Sequence, residues 1–209
     1  MHRIERSATN IIVAVTAAVW ALTALAGYSD RADFALGFIP LRVMHPAVAW
    51  AAVPAFLTPL TATLVHSGLV HLGLNLLMLV WCGTQVERVI GRTGIIVLYL
   101  VGAYAAAAAQ WAVDPMATTP MVGASGAISA VMGAFALSFG RAKPITKNLR
   151  INRWINVAWL LVAWVVLQMM MGWLAGGQGY LLATPAHIGG FAAGLLLQRP
   201  MLLWRYRKA

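Results

Sequence analysis

Six apolar stretches divide this 209-residue chain: roughly Ile11–Gly27, Leu69–Val86, Gly94–Val113, Met121–Phe139, Trp154–Leu174 and Tyr180–Leu197. Each is long enough, or nearly so, to cross about 30 Å of hydrocarbon as a helix rising about 1.5 Å per residue. Hydrocarbon offers no partner to an open backbone, so a lone span must close its hydrogen bonds within itself, as an α-helix does. The expected fold is all-α: a polytopic, six-transmembrane-helix bundle forming one membrane domain over 1–209, with a long first outer loop over 28–65. Composition agrees, because 10% of the residues are charged where soluble domains carry roughly 25%.

The formal net charge of +10 would fit a nucleic-acid binder, but the basic residues are distributed for a bilayer. Arg3 and Arg6 precede the first apolar stretch, and Arg88 and Arg92 follow the second. Arg141, Lys143, Lys147, Arg150 and Arg153 share one loop, and Arg199, Arg205, Arg207 and Lys208 lie at the C-terminus. Only Arg31 and Arg42 fall in an intervening loop, beside Asp30 and Asp33. Basic residues in alternate loops are the positive-inside pattern. It places both termini in the cytoplasm, requires an even number of spans, and removes the reason to expect a nucleic-acid partner. The first stretch, ending near Ala24-Leu25-Ala26, also fits a cleavable signal peptide, and cleavage would leave five spans with the same orientation. Cys82 is the only cysteine, which excludes an intrachain disulfide. With one cysteine and scattered histidines, neither a metal nor another cofactor is expected.

The outer loop is apolar over Ala47–Val65 but carries Pro54 and Pro59, which interrupt a helical ladder. Short interfacial or half-inserted helices are expected there.

A few polar side chains interrupt the apolar stretches, where an unsatisfied polar group costs several kcal/mol. His66, His71 and Asn75 lie ahead of and on the second stretch. His71 and Asn75 are four residues apart and share a helix face; glue between neighbouring helices explains that pair equally well. Gly123 and Gly126 bracket Ser125 at the start of the fourth stretch, in a run of small residues that also suits close helix packing. The sixth holds His187 with Gly190 and Gly194, a small-xxx-small spacing. With the N-terminus inside, the second, fourth and sixth stretches run inward, so all these polar groups fall in the outer half. Ser125 stands about 21 Å of helix from Phe139, less than the hydrocarbon thickness, and so lies below the outer surface. The acids Glu5, Asp30, Asp33, Glu87 and Asp114 all lie elsewhere. A serine hydrolase built from these parts is therefore a dyad. His187 would take the Ser125 proton, and the Ser125 N–H, helped by His71 and Asn75, would hold the oxyanion.

His66, His71 and Asn75 on the second stretch, Gly123-Ala124-Ser125-Gly126 on the fourth, and Ala186-His187-Ile188-Gly189-Gly190 with Gly194 on the sixth together resemble the rhomboid family of intramembrane serine proteases. Gly83 and Glu87 also resemble its pattern, and the likeness covers about Leu57–Leu203. The resemblance implies a six-span rhomboid fold with a cavity open to the outside. It further implies cleavage of single-span membrane proteins in or near their transmembrane segment, and, for a bacterial-type member, residence in the inner (plasma) membrane. It implies Ser125 as nucleophile, His187 as general base, and His71 and Asn75 as oxyanion donors. His66, Gly123, Gly126, Gly190 and Gly194 would support them. The fifth span near Met169–Met171 and the loop Gly172–Tyr180 would gate substrate. Two departures stand out. Ser129 occupies the position, four after the serine, where many rhomboids place an aromatic on the histidine; and the family's Trp-Arg pair is absent, Arg42 and Trp50 lying apart. The rival readings are a catalytically inactive rhomboid-like binding protein and a bis-histidine haem protein of the membrane.

Overall fold

The computed structural model describes residues 7–45, 53–140, 144–174 and 183–207. Arg3, Arg6, Arg141, Lys143, Lys208 and Trp50 lie outside them, as does most of the expected gating loop, from 175 to 180. Among the described residues the fold is all-helical apart from turns, loops and one isolated bridge.

Helix α1 (Ala8–Leu25) is fastened at both ends to the polypeptide of the second stretch. At its N-terminus the Glu87 carboxylate accepts from Ser7 Oγ (2.7 Å), Ala8 N (2.7 Å), Thr9 N (3.0 Å) and Thr9 Oγ1 (2.6 Å). A carboxylate there satisfies open N–H groups and meets the positive end of the helix dipole. Gly83, one turn before Glu87, lets α1 in, since a Cβ at that position would lie 2.9 Å from Thr9 Cγ2. Near the other end of α1, Trp20 Nε1 donates to His66 O (3.1 Å).

The outer loop forms α2 (Ser29–Leu36), α3 (Leu41–Met44) and α4 (Thr58–Thr61), the last flanked by 3-10 turns at Ala55–Leu57 and Ala62–Leu64. Helix α5 (Leu69–Met78) runs through a π turn at Leu79–Gly83 into α6 (Thr84–Val113). Gly91, at φ +83°, breaks α6 between residues 84–90 and 92–113. A side chain there would meet Arg205 Nη1 at 2.6 Å as well as bear the cost of that φ,. Helix α7 (Ser125–Phe139) is followed by α8 (Leu149–Leu174), whose start is capped by Asn148 Oδ1 accepting from Arg150 N and Ile151 N, and by α9 (Thr184–Arg205),.

By length and composition α1, the run Leu69–Val113 and Leu149–Met170 could each cross a membrane. Helix α7 is apolar but 15 residues long. It is also the centre of the bundle: from Ser125 to Ala134 every residue is buried, against α6 on one side and α9 on the other. Helix α8 is peripheral, with only Asn152, Val157 and Trp164 buried among its described side chains.

Of the boundaries that differ from the sequence expectation, two have a local physical reason or consequence. The fourth apolar stretch is not helical from its start: Met121 pairs with Phe38 through two backbone bonds (3.0 and 2.8 Å), and the helix begins at Ser125. Pro120 before it and Gly123 at φ +105° hold 121–124 out of the helix,. The sixth stretch stays helical through Pro200 to Arg205, beyond its apolar part.

Candidate active site

Ser125 is the first residue of α7, so its N–H belongs to the unbonded first turn,. The turn leading to it is shaped by the second stretch. The His71 ring lies against Gly123 so closely that a Cβ would sit 2.6 Å from Cε1 and 2.7 Å from Nε2, and the positive φ independently favours glycine,. His66 Nε2 accepts from Ala124 N (3.3 Å), and the His66 and His71 rings meet edge to face at 5.0 Å. The sequence therefore places one histidine under the serine turn and another beside it.

Helix α9 brings the second half of the pair. Its first turn carries His187, and Gly190 and Gly194 press on the carbonyls of Gly126 and Ala130, closer than any Cβ would allow. Backbone-to-backbone packing of this kind fixes the separation of two helices more tightly than side chains do. It sets His187 Nε2 2.8 Å from Ser125 Oγ. Both residues are buried, 6% and 7% exposed. With the Ser125 hydroxyl donating to Nε2, the ring proton resides on Nδ1, the arrangement a general base needs before it withdraws a proton. Beside Ser125, a cavity of about 10 Å³ bordered by Gly123, Ala127 and Ala186 has room for about one water,.

The other expected participants fall as follows. His71 Nδ1 is 3.1 Å from Ser67 Oγ; when that hydroxyl donates, Nε2 carries the proton beside the Gly123 turn. Asn75 is 1% exposed, but its amide nitrogen donates to the His71 carbonyl (2.9 Å), bracing the helix at His71 rather than bonding to Ser125. Glu87 is engaged at the α1 terminus, and no carboxylate contacts His187 among the described residues. The bis-histidine alternative gains nothing from this geometry: His66 and His71 touch each other, and His187 faces the serine.

Two residues that sequence reasoning passed over, Trp164 and Gln168, border His187. Trp164, from the middle of α8 and 2% exposed, turns its ring edge toward the imidazole, with centroids 6.5 Å apart at 69°. Its Nε1 donates to Ser129 Oγ (2.8 Å), and Ser129 Oγ donates to Ser125 O (2.7 Å). Gln168, one turn further along α8, places Nε2 3.4 Å from His187 Nε2. Ser129 thus does not leave the histidine bare. Its small side chain admits an aromatic from a neighbouring helix, and its hydroxyl holds that ring by hydrogen bonding.

Comparison with known proteins agrees with this architecture. A family model described as the Rhomboid domain matches residues 54–204. Rhomboid protease GlpG of Pectobacterium atrosepticum is 27% identical over 199 residues, covering 90% of this chain and 60% of that protein. RHOMBOID-like protein 4 of Arabidopsis thaliana is 31% identical over 146 residues, or 69% of this chain and 34% of the relative. Rhomboid protease GluP of Bacillus subtilis is 26% identical over 136 residues, 65% of this chain and 24% of the relative. The chain thus spans between a quarter and three fifths of the length of these relatives. Through its Rhomboid domain and its all-helical, apolar build, this multi-pass membrane protein belongs to the rhomboid family.

Proposed function

We propose that this chain is an intramembrane serine endopeptidase, one domain of six spans with both termini in the cytoplasm and residence in the inner membrane. Its substrates are single-span membrane proteins, cut in or near their transmembrane segment. The observation that carries the reading is the 2.8 Å approach of Ser125 Oγ to His187 Nε2 inside a helical bundle. In this reading Ser125 Oγ attacks the scissile carbonyl carbon as His187 Nε2 takes its proton, and His187 returns that proton to the departing amine. Water then attacks the acyl-enzyme with His187 again as base, releasing the new carboxyl end and restoring Ser125. The oxyanion is held by the Ser125 N–H at the α7 terminus, where the helix dipole favours negative charge, and by the His71 ring over Gly123. Asn75 contributes by fixing His71, with its second amide hydrogen in reserve. The outer-half position of Ser125 puts the chemistry below the membrane surface, and α8 with the loop after it is the natural side for substrate to arrive.

Co-expression with a reporter carrying one transmembrane segment tests this. Ser125→Ala and His187→Ala should each abolish cleavage while the protein keeps its helical circular dichroism. His71→Ala should lower the rate by about 10²–10³, the usual cost of losing one oxyanion donor. Full activity in Ser125→Ala would show that another nucleophile does the work.

A further inference from the structure

Between Trp154 and Leu174, helix α8 carries two side-chain amides, Asn156 and Gln168, in an otherwise apolar run. In such a stretch an amide is costly unless it is paired. Asn156 stands beside Gly140, at the opposite end of α7 from Ser125. Gln168 is half-buried and reaches the dyad, with Nε2 3.4 Å from His187 Nε2. That nitrogen is a poor partner for it. With the ring proton on Nδ1, His187 Nε2 has a single lone pair, and this already accepts from Ser125 Oγ at 2.8 Å,. A separation of 3.4 Å also lies beyond the usual hydrogen-bond range of about 2.7–3.2 Å,. Gln168 therefore holds a donor next to the reacting atoms, where His187 offers it no strong acceptor.

What arrives there during the reaction is the leaving half of the peptide. His187 returns its proton to the leaving nitrogen, which must come within about 3.2 Å of Nε2. Gln168 Nε2 then stands within about 6.6 Å of that nitrogen,. The first carbonyl of the leaving chain is three bonds from the same nitrogen, so the donor and this carbonyl are neighbours. The carbonyl needs a partner, because a segment cut inside the bilayer has left its helix and hydrocarbon supplies none for the freed backbone groups. We infer that Gln168 is a substrate-binding residue for the leaving side: its Nε2 donates to the carbonyl of the first residue after the scissile bond while His187 protonates the departing amine. The role depends on the Ser125–His187 chemistry proposed above. Trp164, one turn earlier on α8, spends its N–H on Ser129 Oγ and does not compete for that carbonyl.

Synthetic peptides containing one transmembrane segment, cut by the full chain in detergent and mapped by mass spectrometry of the products, test this contact. One peptide keeps every amide. A second has an ester in place of the peptide bond between the first and second residues after the cut, which weakens that carbonyl as an acceptor. A third carries its ester between the second and third residues before the cut. On the all-amide peptide, Gln168→Met keeps the side-chain length, loses the donor, and should lower kcat/KM about three- to tenfold. On the second peptide the same substitution should cost less than about twofold, because the interaction it removes is already weakened. On the third it should cost as much as on the first. Gln168→Asn draws the amide back by one methylene and should repeat this pattern without a change of side-chain polarity. Equal losses on all three peptides would overturn the inference and leave Gln168 a packing residue, and so would undiminished cleavage of the all-amide peptide by both variants. Ser125→Ala separates the two readings. If it cuts the all-amide peptide as fast as the wild type, the protease reading falls and this contact with it; if it is inactive while the Gln168 losses are equal, the contact alone falls.

Discussion

Trp164 does two things at once: its indole N–H is fixed to Ser129 Oγ and its ring edge borders His187. An edge-to-face contact at this distance restricts the tilt of the imidazole, and a base that tilts loses its line to the serine. Trp164→Phe keeps a ring but releases the hydrogen bond, so kcat should fall by about tenfold with KM little changed. A purely structural role would instead move the unfolding midpoint without that split. The double substitution Trp164→Gly with Ser129→Tyr supplies a ring from α7 itself and should recover part of the lost kcat; measuring kcat and KM for both variants checks it. Ser125 and His187 are legible in the sequence as candidates because strongly polar side chains are rare in apolar stretches. Trp164 is not legible. A tryptophan inside an apolar stretch reads as one more apolar residue, and only the meeting of three helices shows what its N–H reaches. Asn75 was legible as polar and buried, but the acceptor it finds is the His71 carbonyl one turn back.

The dyad distance is a property of α7 and α9 as elements. Gly190 and Gly194 lie on the carbonyls of Gly126 and Ala130, so any side chain there forces the two helices apart. Gly194→Val should destabilise the fold by about 1–3 kcal/mol and remove cleavage, since an overpacked contact is relieved by separating the pair. Gly73 on α5 is the control: nothing lies within 4 Å of where its Cβ would be, so Gly73→Ala should be neutral or stabilising by up to about 1 kcal/mol,. Thermal unfolding in detergent alongside reporter cleavage separates the two outcomes. This packing could be anticipated from the four-residue glycine spacing. The anchoring of α1 could not, because Glu87 caps a helix terminus about 80 residues earlier in the chain and local sequence carries no trace of the pairing. The same anchoring makes α1 part of the bundle rather than an appendage to it. The start of α7 was misplaced by four residues for a physical reason: Met121 and Val122 are apolar enough to extend the stretch, yet Pro120 and the positive φ of Gly123 keep them extended.

At the scale of the molecule, hydrophobic stretches set which segments enter the bilayer, and arginine placement sets which way they run. The long apolar run of 69–113 is the instructive case. By composition it is one candidate crossing of 45 residues, far longer than hydrocarbon thickness requires, and the break at Gly91 divides it into two,. Arg88 and Arg92 flank that break, so the positive-inside pattern expects it at the cytoplasmic end, and the Glu87 cap puts the start of α1 at the same end,. Helix α9 ends beside the same turn, since Arg205 Nη1 donates to Glu87 O (3.3 Å) and Tyr206 Oη to Val89 O (3.3 Å). The start of α1, the turn at Gly91 and the end of α9 therefore gather at one end of the bundle. Ser125, His71 and His187 lie toward the other end, beside the outer loop. This arrangement gives a definite expectation for reporter fusions. Green fluorescent protein joined after Ala209 should fluoresce, and alkaline phosphatase joined there should be inactive. Phosphatase inserted after Asp30, in the outer loop, should be active, and inserted at Gly91 inactive. An active phosphatase at the C-terminus would invert the bundle, carry the dyad to the cytoplasmic half, and exclude the outward-facing active site on which the proposed protease rests.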